Sequence, residues 1–396
     1  MSEESLQIQH KKDKIWTQDF ILICAANFFI FLGFQMTLPT IPLFVKHLGG
    51  SDQLIGLVVG VFTFSALLIR PNAGHALETK GRRFVYLTGL AIFVIAVGSY
   101  GFLPSILLLF VMRMVQGVGW GYSTTASGTI ATDLIPAKKR GQGMGYFGLT
   151  ASIALAFGPS LGLALAGTLT FIQLFLVCAL LGLTALLLSS RIHYKKVEEN
   201  EHKAVALKWD IYEKSALRPS ILLFFITIPF GGIASFLPLY AVEKGVEGIQ
   251  IYFLIYAAAL MFTRTFAGRL YDKKGHGAVF IPGTIMIVTA MLLLSWLPNA
   301  TVLFFAAFCY GIGFGCVHPA LQAWSVEKAP PSRRGMANAT FFSFFDLGVG
   351  IGAILFGQIA HWSGYYFIYI SASISVMISV LLYLFFLWRI RKTKLA

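Results

Sequence analysis

The 396 residues are 57% hydrophobic and only 12% charged, against roughly 45–50% and 25% in soluble domains, which excludes an ordinary soluble protein. Lys and Arg number 31 against 17 Asp and Glu, a net charge of +14. Such an excess suits nucleic acid or an anionic surface, and its placement along the chain decides between them.

The polar stretch 1–19 reads as a tail. The apolar run at 20–44 is too long for a signal-peptide core and has no small-residue cleavage site, so it stays as the first span. Runs of about 20 residues, the length that crosses about 30 Å of hydrocarbon, recur at 52–72, 84–103, 105–128, 142–166, 171–190, 218–240, 249–270, 278–297, 300–325, 336–360 and 364–388. The fold class is therefore an all-α membrane protein with twelve transmembrane helices in two six-helix bundles. A tail at 1–19 leads into a bundle at 20–190, a charged linker at 191–217, a second bundle at 218–390 and a tail at 391–396. Cys24, Cys178, Cys309 and Cys316 all lie in apolar runs without CxxC spacing or a His cluster. They read as packing residues, and no metal site is expected.

Of the 31 Lys and Arg, 26 fall in the N-terminus, the 2–3, 4–5, 6–7, 8–9 and 10–11 loops and the C-terminus, while the opposite loops hold only Lys46 and Lys244. Both termini are expected to be cytoplasmic. The charge excess is a topology signal, and nucleic acid is not an expected partner. A shift of 194 residues lays the second half on the first: Arg70 on Arg264, Gly74 on Gly268, Gly81 on Gly275, Gly117-Val118-Gly119 on Gly311-Ile312-Gly313, Asp133 on Glu327, Arg140 on Arg334. Six spans per half is an even number, so the copies share one orientation about an axis along the membrane normal.

Taken in chain order, the first span offers Asn27 and Gln35 as polar candidates for a cavity. The stretch after the second span reads Gly74-His-Ala-Leu-Glu78-Thr-Lys-Gly81-Arg82-Arg83, and the second half repeats it as Gly268-Arg-Leu-Tyr-Asp272-Lys-Lys-Gly275. Glycines allow a tight turn between close helices, and the acid accepts hydrogen bonds from a helix N-terminus or an Arg. Such a loop can latch two bundles on one face. The expected cytoplasmic gate comprises Arg70, Gly74, Glu78, Gly81, Arg82, Asp133 and Arg140 with Arg264, Gly268, Asp272, Gly275, Glu327 and Arg334.

The fourth span carries Arg113-Met-Val-Gln116-Gly117-Val-Gly119, followed by Trp120 and Tyr122. An Arg inside a span costs about 2.5–3.5 kcal/mol on insertion scales, so it should face a cavity or a partner. The repeat equivalents of Arg113 and Gln116 are Ala307 and Tyr310, so the bundle can be built without them and a functional role is favoured. The fifth span carries Gly145, Ala154 and Gly158-Pro159-Ser-Leu-Gly162. Small residues at helical spacing let backbones approach and Gly-Pro permits a bend, which suits a gating helix.

The tenth span supplies Tyr310 and Phe314 as cavity walls and His318 as a group titrating near neutrality. Asp346 is the one carboxylate deep in a span, and its repeat equivalent is the neutral Ser152. At 1.5 Å per residue it lies about 15 Å in from one end of its span, and Arg113 comes to about 12 Å from the opposite surface, a similar depth in a core of about 30 Å. Asp346 and Arg113 could therefore sense one another, with Arg70, a serine or a backbone donor as the alternative partner. A carboxylate at such depth needs a compensating cation or a proton, which is what a proton carrier requires.

These features resemble the major facilitator superfamily along nearly the whole chain. The loop matches the family's Gly-x3-Asp-basic-x-Gly-basic pattern, with Glu78 and Thr79 replacing the usual Asp and basic residue. The fourth span matches Arg-x2-Gln-Gly-x-Gly. The fifth is similar to the antiporter signature Gly-x8-Gly-x3-Gly-Pro-x2-Gly-Gly of the efflux branch, with Ala154 and Leu163 in place of two glycines. The resemblance implies two bundles rocking about a midplane site, with Arg113 linked to proton coupling. It points to proton-coupled efflux of small amphipathic organic molecules. Uptake or exchange of a small, anionic nutrient is the alternative, and lipid or siderophore export a further one. The chain has no Gly-x4-Gly-Lys-Ser/Thr loop and no His-Glu-x2-His, so neither an ATP-driven pump nor an enzyme is expected, and no cofactor is called for. The expected partners are a small-molecule substrate, protons and the lipid bilayer, for a functional monomer in the plasma membrane.

Overall fold

A computed structural model describes residues 15–136, 139–194, 212–327, 329 and 334–395. Most of the expected linker, and the side chains of Glu78, Arg140, Asp272 and Arg334 from the expected gate, lie outside the described residues. Twelve helices long and apolar enough to cross a membrane are present among the described residues: α1 Gln18–His47, α2 Asp52–Thr79, α3 Arg82–Ser99, α4 Ile106–Leu134, α5 Arg140–Ala166, α6 Phe171–Ser190, α7 Leu217–Glu243, α8 Ile249–Lys274, α9 Gly277–Trp296, α10 Ala300–Glu327, α11 Arg334–Ser363 and α12 Tyr365–Leu395. Several starts are fixed by side-chain caps. Thr17, Ser51 and Ser105 accept from the amides of Phe20, Leu54 and Leu108, and Thr170 with Gln173 forms a capping box.

Each predicted span coincides with one helix, but α2 and α8 run further than their apolar cores. Gly74, Gly268 and the backbones of residues 78 and 272, expected in loops, are helical. The reversal is left to Gly81 and Gly275, whose φ of 86° and 76° are open to glycine and strained for other residues. Pro159 does not interrupt α5.

The first six helices pack together, α1 against α5 and α6, α2 against α4, and α3 against α4 and α6; the second six repeat the scheme. The close approaches repeat as well. A side chain on Gly117 would strike the carbonyl of Phe62 and one on Gly311 that of Tyr256, while Gly119 and Gly313 abut the carbonyls of Gly89 and Gly283. Each pair is 194 residues apart, so the sequence repeat is one packing arrangement built twice.

An even number of spans puts both chain ends on one face, termed here the terminal face, with the distal face opposite. Bundles meet along α2–α11, α5–α8 and α1–α7. Leu68, Ile95, Leu107 and Phe262 are among the large apolar side chains exposed on the outside, the surface that lipid covers. Exposed tryptophans mark its two edges: Trp16 and Trp388 toward the terminal face, Trp296 and Trp362 toward the distal face.

Candidate functional site

Between the bundles, small residues control how closely helices meet. Toward the distal face the contact is tight. A Cβ on Gly56 would lie 2.5 Å from the carbonyl oxygen of Ala353, and one on Gly350 would lie 3.0 Å from the Thr63 side chain. Gln53 Nε2 donates to Gln358 Oε1 at 2.9 Å, Tyr365 Oη donates to Asp52 at 2.8 Å, and Ser160 Oγ donates to the carbonyl of Gln250 at 2.8 Å. Lys46 pairs with Asp52 at 2.8 Å beside them.

Toward the terminal face the bundles diverge. Gly74 and Gly268 lie one turn beyond Arg70 and Arg264, and Gly148 one turn beyond Ser152, on the stripes that face the other bundle. At each of them, and at Gly145, no atom lies within 4 Å of a would-be Cβ. The interface thus opens into a cleft on this side. At its deep end are two ties, each joining the two bundles. Arg70 Nη2 donates to Asp346 Oδ2 at 2.8 Å across α2–α11, and Arg264 Nη1 donates to Ser152 Oγ at 2.7 Å across α5–α8. Arg70 and Arg264 are repeat equivalents, as are Ser152 and Asp346, so the ties are one contact made twice, charged in one copy and neutral in the other. The Arg70–Asp346 pair is partly exposed to the cleft.

Just distal of the ties is a narrow gap lined by Gln35, Pro159, Phe230, Phe253, Tyr256 and Tyr310 among others, with room for about one water molecule. The Gln35 Oε1 and the hydroxyls of Tyr256 and Tyr310 are buried there without a hydrogen-bond partner in the protein, so polar groups face a gap of about one water's size. Tyr256 stacks on Tyr310 at 5.3 Å between ring centres, Tyr310 on Phe314 at 5.9 Å, and Phe314 is 5.5 Å from His318. This aromatic row runs along α8 and α10 from the gap toward the ties.

The structure divides the expected site residues. Gln35, Pro159, Tyr310, Phe314 and Asp346 come together around cleft and gap. His318 closes the aromatic row, boxed by Phe314, Phe341 and Phe345. Arg113 does not meet Asp346. It is 0% exposed inside the first bundle, where Nε donates to the carbonyl of Val58, Nη1 donates to Gln116 Oε1 and the guanidinium lies 4.4 Å from the Phe62 ring centre. Gln116 also accepts from Tyr100 Oη at 2.6 Å. Asn27 and Trp120 are likewise spent within that bundle, Asn27 on Thr150 and Trp120 on Phe34. Tyr122 donates to Asn72. Asn27, Gln116, Trp120 and Tyr122 thus make these contacts with helices of their own bundle.

Of the expected gate residues with described side chains, Arg70 and Arg264 bridge the bundles, and the pairs nearer the terminal face do not. Arg82 pairs with Asp133 at 3.2 Å and Glu327 accepts from Tyr271 at 2.8 Å, each within its own bundle, because the ends that carry them stand apart. Gly158 and Gly162 seat α5 against Gln35 and Met36 of α1, while Gly145 faces open space. Residues that sequence reasoning left out are Tyr256 and Ser152.

Two substitutions separate these roles. Gln116→Leu deprives a buried guanidinium of an acceptor and is expected to cost about 1.5–3 kcal/mol of stability, read as a lower melting temperature with an unaltered substrate profile. Tyr310→Phe removes a hydroxyl that no protein group uses; its melting temperature should match wild type while its apparent substrate affinity falls.

The sequence profile of the Major Facilitator Superfamily matches residues 23–332 and 255–396. An uncharacterized MFS-type transporter of Methanocaldococcus jannaschii is 25% identical over 383 residues, covering 93% of this chain and 98% of that one. The staphylopine export protein of Staphylococcus aureus is 24% identical over 355 residues, covering 86% and 89%. The crystal structure of the nucleoside transporter NupG, 14% identical, superposes with a TM-score of 0.73 over 93% of this chain and 99% of that one, which shows a common fold. Twelve apolar helices, a twice-built bundle and a profile match spanning the chain lead to one conclusion: the protein belongs to the Major Facilitator Superfamily and is a multi-pass membrane secondary transporter.

Proposed function

We propose that the protein exports small amphipathic organic molecules in exchange for protons, with Asp346 as the proton site. The observation that carries this reading is the Arg70–Asp346 pair. It ties the bundles across α2–α11, the longest interface about which they must rock, and it is accessible from the cleft. While Asp346 is ionised the Coulombic attraction holds the two helices in register; a proton on the carboxyl cancels the charge and frees Arg70. Proton binding and bundle movement are then coupled, and by reciprocity movement changes the hold on the proton. The neutral Arg264–Ser152 tie has no titratable carboxyl, so a single site carries the coupling. The name of the staphylococcal relative, an export protein, supports the direction. The Lys and Arg distribution supports a cytoplasmic terminal face in the plasma membrane, so the cleft loads from the cytosol.

The test uses everted vesicles from overexpressing cells, acidified inside by respiration, with a pH-sensitive dye and a chemically diverse solute panel. A solute that releases protons from vesicles with the transporter, and not from vector controls, is the expected result. Silence across the panel with correctly inserted protein overturns antiport, and solute efflux accompanied by outward proton movement points to symport instead.

A further inference from the structure

Three arginines, Arg70, Arg113 and Arg264, lie away from the ends of their spans, and each handles its charge differently. Arg70 has the Asp346 carboxylate. Arg113 is sealed from any solute and rests on a carbonyl, an amide oxygen and a ring face. Arg264 has neither seal nor carboxylate. Its Nη1 donates to the Ser152 hydroxyl, its Nε is buried without an acceptor, and it takes part in none of the ion pairs among the described residues. The Ser152 hydroxyl spends its own proton on the carbonyl of Gly148 at 3.2 Å, leaving a lone pair for Arg264. A guanidinium held in a membrane-spanning helix against one neutral oxygen is under-compensated.

The repeat says what chemistry suits it. At the equivalent place in the other half, Arg70 is met by a carboxylate at 2.8 Å from the residue equivalent to Ser152. Arg264 therefore stands in a setting already built once in this protein to hold a carboxylate, with the chain's own acid replaced by serine. Tyr256 lies about two turns from Arg264 on the same helix, and the row Tyr256, Tyr310, Phe314 leads away from it toward the gap. We infer that Arg264 receives the carboxylate of the transported molecule, whose apolar or aromatic body lies along that row: the substrate class is an amphipathic organic acid. This inference deepens the export reading and rests on it for direction, but not for binding. A bound acid balances Arg264 as Asp346 balances Arg70, so in the loaded cleft both ties are charged and neutralised. Bidentate geometry makes an Arg the right residue for the task.

The experiment measures melting temperatures of the purified full-length protein in detergent against benzoate, 3-phenylpropionate and 5-phenylpentanoate, each paired with its primary amide, since a ligand that binds only the folded state raises the melting temperature saturably. Wild type is expected to respond to at least one acid and not to its amide. Ser152→Asp supplies Arg264 with a resident carboxylate, as Asp346 does for Arg70; it should melt no lower than wild type while acid affinity drops at least about tenfold, which is 1.4 kcal/mol. Arg264→Gln should lose the acid response. Ser152→Asn, of similar size without the charge, keeps a measurable acid-selective shift and so separates charge from bulk. Equal shifts from acid and amide, no acid-selective shift in wild type, or an undiminished one in well-folded Ser152→Asp or Arg264→Gln would overturn the assignment. Binding in detergent needs no gradient. Acid-selective binding with silent vesicles removes antiport and leaves this site, while proton release driven by neutral solutes without acid-selective binding does the reverse.

Discussion

Vesicles containing Asp346→Asn should show no solute-triggered proton release, down to the level of an empty vector, while the same protein still exchanges labelled solute down its concentration gradient. Asparagine keeps a side-chain oxygen where Arg70 Nη2 now donates to Oδ2 at 2.8 Å, so the tie persists in a form that cannot titrate. Folding should be largely kept. Asp346→Ala is the harsher change, because it leaves a guanidinium whose Nε already lacks an acceptor with no partner on the other bundle. For a partly exposed pair this should cost about 1–2 kcal/mol, below the 3–5 kcal/mol of a fully buried one. The contrast between the two variants separates coupling from architecture: loss of coupling in both with loss of stability only in alanine is the expected pattern. Undiminished proton release by Asp346→Asn would remove Asp346 as the proton site.

Locking the distal seal should abolish transport completely and reversibly. Gln53 and Gln358 meet tip to tip at 2.9 Å, so cysteines at the two positions face each other across α2–α11, within the span of a short bis-methanethiosulfonate reagent. Cross-linking Gln53→Cys/Gln358→Cys should reduce solute flux to vector level, and a reductant should restore it. Background reaction is small, since Cys24, Cys178 and Cys309 are buried and Cys316 is partly so. Full flux through the cross-linked protein would mean that α2 and α11 need not part at this face, and that the cleft does not open there.

Much of this architecture was legible in the amino-acid order. Apolar runs located every helix because a bilayer leaves the backbone no alternative, and the 194-residue shift aligned Gly119 with Gly313, which make matching close approaches to Gly89 and Gly283. Neither depth nor azimuth was fully readable. Arg113 packs beside Val58 and Phe62 of α2, whereas Asp346 meets Arg70, about two turns or more nearer the terminal face on that helix. A polar or aromatic residue in a span announces that it avoids lipid. It does not say whether a neighbouring helix or a cavity receives it, which is why the contacts of Asn27, Gln116 and Trp120 within the first bundle were not foreseen and Tyr256 went unnoticed among 15 tyrosines. The ties themselves were within reach of the repeat. Arg70 with Arg264, and Ser152 with Asp346, are two aligned pairs, and pairing them crosswise yields both inter-bundle contacts.

The tryptophans at the edges of the lipid-facing surface are unevenly shared. Among the described residues, Trp296, Trp362 and Trp388 belong to the second bundle and straddle both faces, while beside the first bundle Trp16 is the one exposed tryptophan. Indoles prefer headgroup depth, so leaning the second bundle drags three of them out of place on two sides of the bilayer, whereas leaning the first disturbs one.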